Sequence, residues 1–187
     1  LEELRKAASQ EGISFVVETR VDPKQPDFQA AAAQTEKAQP QAMILGTAGT
    51  TFTNYVKAVL QTGVKPTFYG FSVASLDVIN RELKDQARGI ILAQIMPSLR
   101  NATIPVVAEY LQLAKAKSAN AVPSASQFEG FVHARLLVEG LKRTGRNLTT
   151  DNFIKAMEGA GEIRFGQFIA RYSPESHNGS SYVELAI

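Results

Sequence analysis

Residues 42–70 read AMILGTAGTTFTNYVKAVLQTGVKPTFYG, and this stretch decides the fold. Ala42-Met43-Ile44-Leu45 is an apolar run of strand length that passes directly into Gly46-Thr47-Ala48-Gly49-Thr50-Thr51. A helix is expected from Thr51 to Gln61, with Tyr55 at a spacing typical of a core face and Gly63 as its stop. Thr67-Phe68-Tyr69 then reads as the next strand, ending at Gly70. A strand, a helix and a strand joined by glycine-bearing turns form the repeating unit of a parallel sheet.

The same alternation extends outward. Upstream, helical periodicity from Leu1 to about Gln10 stops at Gly12, and Ile13 to Thr19 is an apolar, β-branched run expected to be a strand. Asp22 to Asp27 reads as loop, with Asp27 capping the Ala-rich helix Phe28 to Ala38 before Pro40 ends it. Downstream, a short helix is expected near Ser75–Leu83, then the strand Gly89 to Ile95, stopped by Pro97. From Ile104 to Met157 the pattern becomes almost wholly helical: Pro105–Lys117, Ala125–Thr144 and Thr150–Glu158. Ser124 or Ser126 caps the second of these, Thr149 to Asp151 cap the third, and Gly145 closes the middle one. Past Gly161, Phe165–Tyr172 and Ser181–Ile187 read as a closing hairpin around the turn-rich Ser173 to Gly179. The fold class is therefore α/β with a doubly wound parallel sheet, followed by a helical region.

Composition narrows the function. With 44% hydrophobic residues the chain is globular rather than disordered, and 20 basic against 18 acidic residues of scattered sign form no basic block. Nucleic-acid binding is not expected. Cysteine is absent, which removes disulfides, thiolate catalysis and cysteine-ligated zinc. No apolar run is long enough to span a membrane. The opening residues Leu1 to Ala8 already read as mid-helix, without a capping residue, so an upstream portion is expected.

Catalytic and metal chemistry find little support. His133 lies mid-helix and His177 in a turn; neither has a partner at metal-ligand spacing, and both read as structural. No Gly-x-Ser-x-Gly elbow occurs. Neither a cofactor nor a metal is expected, and the protein is read as a non-enzyme. Gly46 to Thr51 is the loop of interest: it matches neither a P-loop nor a dinucleotide fingerprint. It is either an ordinary strand-to-helix turn or a place where helix N–H groups receive a polar ligand group. Ligands of open α/β sheets lie beyond the carboxyl ends of the strands, where this loop and Phe71-Ser72-Val73 fall together. The candidate ligand-binding residues are Thr47, Ala48, Gly49, Thr50, Phe71 and Ser72, with Gln94 and Glu129 as weaker candidates. Glu129 has a simpler reading as a carboxylate favoured by its helix N-terminus.

Several segments, in order, carry a family resemblance: Asp27-Phe28, Gln39 to Ile44, Gly63-Val64-Lys65-Pro66-Thr67-Phe68-Tyr69-Gly70, Ala87 to Ile91, Gln127 to Arg135, and Ser173-Pro174 through Ser180. Together they resemble the leucine/isoleucine/valine-binding type of periplasmic receptor, the type I solute-binding proteins of ABC importers. The resemblance implies the C-terminal half of such a receptor. Residues 1–95 and 178–187 would build the second lobe. Residues 96–177 would supply hinge crossings and helices packing on a first lobe whose sheet lies upstream. It also implies a bacterial, periplasmic protein with a signal peptide in its precursor, acting as a monomer. Such a protein captures a small amino-acid-like or organic-acid ligand between two lobes and delivers it to an ABC permease in the inner membrane. In the amino-acid receptors an aromatic residue and an acidic residue line the pocket at positions that fall here on Ala48 and Ser72. Neither matches, so an organic acid, an amide or an aromatic compound fits at least as well as an α-amino acid. The alternative is a ligand-sensing domain of the same fold on a transcription regulator or signalling receptor.

Overall fold

The computed structural model describes residues 2–187. The chain divides into two units, one running to Leu92 and including Ile187, the other spanning Ala93–Ala186. Leu1, expected to open the first helix, lies outside the described residues.

The first unit contains helices α1 (Glu2–Gln10), α2 (Phe28–Ala38), α3 (Gly49–Gln61) and α4 (Leu76–Leu83) with strands β1 (Ala42–Leu45) and β2 (Thr67–Phe71). Strand β3 (Ile91–Gln94) begins in it. A four-stranded sheet has the order β1-β2-β3-β6, where β6 is Glu184–Ala186. β1 and β2 pair in parallel, from Ala42 opposite Thr67 to Leu45 opposite Gly70. The pleat sends alternate side chains to opposite faces. Met43, Leu45, Phe68 and Leu92 join Phe52, Val56 and Val59 of α3 in the core, while Ile44, Tyr69 and Phe71 remain exposed on the other face. Gly70 is needed for this packing: a Cβ there would lie 2.6 Å from Phe52 Cε2 and 2.8 Å from Leu92 Cδ2.

Two expectations change here. Ile13–Thr19 is not a strand; Ile13 and Val16 are 62% and 67% exposed. β propensity cannot make a strand without a ladder to join, and no strand of the sheet pairs with this segment. Side chains hold it instead. Arg5 donates to both carboxylate oxygens of Glu18, and Thr19 Oγ1 lies 2.6 Å from Tyr55 Oη, which also meets Thr35 Oγ1. The second change is that α3 starts at Gly49 rather than Thr51, so Gly49 and Thr50 form its first turn.

The second unit contains α5 (Pro105–Lys117), α6 (Ala125–Thr144), α7 (Thr150–Glu158) and an antiparallel hairpin of β4 (Glu162–Phe165) and β5 (Phe168–Arg171). Proline at the first position of α5 costs no hydrogen bond. Ser124 and Thr149 accept from the backbone N–H groups of Gln127 and Asn152, capping α6 and α7; Ser126 lies inside α6. Phe128, Val132, Leu136 and Gly140 recur every fourth residue and give α6 one buried face. That face packs in a core with Val107, Tyr110, Met157, Ile163 and Phe168.

The expected closing hairpin is also revised. The hairpin is β4–β5, turning at Gly166-Gln167, and this turn interrupts the expected run Phe165–Tyr172. Gly166 has φ +70 and faces the Pro105 ring, a position that a side chain would strain and crowd. Glu184–Ala186 joins the four-stranded sheet and not this hairpin.

Candidate ligand-binding site

Parallel pairing places the ends of β1 and β2 side by side, because Leu45 is opposite Gly70. The chain leaves β1 through Gly46-Thr47-Ala48 into α3, and leaves β2 through Phe71 into a single 3₁₀ turn, Ser72–Ala74. Thr47, Ala48, Gly49, Thr50, Phe71 and Ser72 are thus gathered at one end of this strand pair. Gln94 and Glu129 belong to the second unit, the first ending β3 and the second in the early part of α6.

The chemistry of the six residues is neutral. None has a titratable side chain, so hydroxyls, backbone groups and the Phe71 ring are what a ligand would meet. Phe71 is 37% exposed, on the same sheet face as Tyr69. Tyr69 is 36% exposed on that face, following the alternation Phe68 in, Tyr69 out, Gly70 in, Phe71 out.

Ala48 is the N-cap of α3, with extended backbone (φ −107, ψ 152) and no side chain able to cap. Inside the first turn Thr53 Oγ1 donates to the Thr50 carbonyl, and Thr51 N–H donates to the Ala48 carbonyl. The Thr47 hydroxyl has no such partner: its Oγ1 is buried and makes no hydrogen bond. Gln94, 6% exposed, leaves Nε2 equally unpartnered. Buried polar atoms are nearly always paired, and leaving one unpaired costs about 1–3 kcal/mol. After the 3₁₀ turn Ser75 holds φ +61, an uncommon conformation for a residue with a side chain.

Glu129 is partly exposed on α6. His133 and His177, read from the sequence as structural, both line a cavity of the second unit, where His177 Nε2 donates to Glu158 Oε1 at 2.8 Å. No cluster of three or more residues suited to a metal ion occurs among the described residues. No described helix is long and apolar enough to cross a membrane.

A family model described as periplasmic binding protein matches residues 1–185. Among solved structures, the chain is similar to a substrate-binding periplasmic protein from Ralstonia solanacearum at 23% identity and a TM-score of 0.86, covering 97% of this chain and 52% of that one. An extracellular ligand-binding receptor from Rhodopseudomonas palustris HaA2 matches at 20% identity and a TM-score of 0.83, covering 98% and 56%. The substrate-binding protein of an ABC transporter from Aeropyrum pernix matches at 14% identity and a TM-score of 0.83, covering 97% and 50%. The chain therefore spans about half the length of these structures. At these identities the likeness shows the fold, with parallel strands and helices arranged as in them. No curated protein matches the chain by sequence.

Proposed function

The chain belongs to the periplasmic binding protein family, and we propose that it serves as the extracytoplasmic solute-binding component of an ABC importer. In this reading the whole protein holds a small amino-acid-like or organic-acid ligand between two lobes and delivers it to a membrane permease. Residues 1–95 with 178–187 belong to the second lobe, and residues 96–177 supply crossings and helices of the first. The family is one of binding proteins, not enzymes.

The observation that carries the site is the buried, unpartnered Thr47 Oγ1. A hydroxyl can both donate and accept, and because Thr47 as a residue is only partly buried, rotation about its Cα–Cβ bond would present it to a solute oxygen or amide. Gln94 Nε2 poses the same requirement for an acceptor at its own position. The absence of a carboxylate from Thr47–Thr50, Phe71 and Ser72 bears on ligand class. An ammonium set against these residues would lose hydration without gaining a counter-charge, which is costly. A carboxylic acid or an amide, with an apolar or aromatic body against Phe71, suits them better.

A thermal-shift screen of the whole protein against amino acids, aromatic acids and amides tests this. A true ligand raises Tm with concentration, because it binds only the folded state. Ser72→Trp is expected to abolish the shift produced by the ligand so found. An unchanged shift would remove Ser72 and its neighbours from the site. No shift with any of the three classes would overturn the solute class. The 187 residues alone are expected to bind that ligand weakly or not at all.

A further inference from the structure

Asn178 is the one asparagine of the sequence that precedes a glycine, in Ser176-His177-Asn178-Gly179-Ser180. The pair lies in the connection from β5 to β6, outside every helix and strand, and Asn178 is exposed. Packing requires the glycine. A Cβ at position 179 would lie 2.5 Å from Tyr172 Oη and 2.7 Å from Tyr172 Cζ, on a residue that is itself partly buried. With no side chain on Gly179, nothing of its own shields its main-chain nitrogen from the Asn178 carboxamide beside it.

The hydrogen bonds of this turn leave both groups free. Ser173 and Ser176 bridge each other, Asn178 N–H donates to Ser176 Oγ, and the Gly179 carbonyl accepts from Arg171 N–H at 2.7 Å. Among the described residues, neither the Asn178 carboxamide nor the Gly179 N–H has a partner. The other asparagines are placed differently. Asn54, Asn80 and Asn152 lie within α3, α4 and α7, whose hydrogen bonds hold the backbone. Asn101 and Asn120 precede alanines and Asn147 a leucine, and those side chains hinder approach to the nitrogen. The N–H after Asn120 is also engaged, since Ala121 donates it to Ser118 O.

We propose that Asn178 is a self-modification site, where the main chain closes on the side chain and converts the asparagine to an acid. The Gly179 nitrogen gives its proton to hydroxide and bonds to Asn178 Cγ. The Cγ–Nδ2 bond breaks, and ammonia leaves with a proton taken from water. Water then opens the cyclic imide at either carbonyl, giving aspartate or isoaspartate without oxidation or reduction. Reacting groups on adjacent residues meet at high effective concentration, so the step needs water and no pocket or partner. Either product places a new negative charge next to His177, the partner of Glu158. Isoaspartate also adds one carbon to the main chain ahead of Gly179. That carbon displaces Gly179 from Tyr172 or breaks its bond to Arg171.

The test is incubation of the whole protein in mildly alkaline buffer, followed by peptide mapping that separates aspartate from isoaspartate. Asn178 is expected to lose its amide before any other asparagine, at a rate that rises with hydroxide concentration. That rate should be comparable with the loss from a peptide of residues 173–183. The aged protein should melt roughly 2 °C lower, as loss of one hydrogen bond implies. Asn178→Gln, whose extra methylene slows ring closure, should keep its amide and its Tm through the same incubation. Retention of the Asn178 amide while the peptide loses its own would overturn the proposal, because the fold would then protect the site. Earlier loss at another asparagine, or an equal fall in Tm for Asn178→Gln, would overturn it too.

Discussion

The sheet of the first unit and the helices of the second bury their apolar residues by different rules. In β1 and β2 every second side chain faces the core, so Met43, Leu45 and Phe68 are hidden while Ile44, Tyr69 and Phe71 are left outside. In α6 every fourth residue is hidden, and Leu137, Val138 and Leu141 are left outside. The helix starts differ as well. Ala48, Ser124 and Thr149 hold similar extended N-cap backbones, yet only Ser124 and Thr149 have a side chain that caps. In α6 and α7 the sequence closes the helix start from within. In α3 the start is left without a side-chain cap, beside the unpartnered hydroxyl of Thr47.

The largest expected effect tests whether the two cores are separate. Phe52→Ala and Phe128→Ala each remove a side chain with no exposure and should each cost about 3–5 kcal/mol in denaturant unfolding. Hydrogen exchange should rise mainly within residues 28–92 for the first and 104–170 for the second. A uniform rise in either variant would merge the cores. Next come the two close approaches. Gly70→Ala pushes into Phe52 and Leu92, both fully buried, and is expected to cost about 1–3 kcal/mol. Gly140→Ala meets Phe153 and Met157, and the partly exposed Phe153 ring can move aside, so a smaller loss is expected. Equal losses would mean that α7 is as tightly held as the sheet.

The caps give a smaller and oppositely signed pair. Thr149→Ala should destabilise by about 1 kcal/mol, whereas Ala48→Ser supplies the missing acceptor and should stabilise by roughly 0.5 kcal/mol. Thermal unfolding of both variants reads the two signs directly. If Ala48→Ser instead destabilises, its backbone is unsuited to a cap despite its dihedral angles.

The smallest effect at neutral pH belongs to Tyr182, whose pKa is pushed up to about 12 by burial, aided by its hydrogen bond to Glu184. Folding favours the neutral phenol, so this contribution is complete below about pH 10, where an unfolded tyrosine ionises. It is lost as the pH rises through 12. Ultraviolet titration should show a tyrosine ionising at about pH 12 that disappears in Tyr182→Phe, and Glu184→Gln should bring it earlier. A titration unaltered by Tyr182→Phe would assign the late group elsewhere.

The candidate site was legible in proportion to its locality. Thr47, Gly49, Thr50, Phe71 and Ser72 follow apolar runs and turn glycines that can be read one after another, and the parallel register gathers them. Which face of β2 is left exposed, with Tyr69 and Phe71 on it, was not legible, because it depends on which face the helices cover. The pairing of His177 with Glu158 was not legible either, because the two lie nineteen residues apart and meet only through tertiary packing.

Local pattern alone determined the α/β class, the helices at Phe28–Ala38, Pro105–Lys117, Ala125–Thr144 and Thr150–Glu158, and the capping role of Asp27, while the structure chose Ser124 over Ser126 and Thr149 among Thr149–Asp151. Helix hydrogen bonds close within four residues, so their signals lie close together in the chain. Only the tertiary structure decided that Ile13–Thr19 is not a strand, that β4 turns back at Gly166 to pair with β5, and that Glu184–Ala186 joins the four-stranded sheet. A strand exists only when a partner far along the chain supplies its ladder, and no reading of neighbouring residues contains that partner.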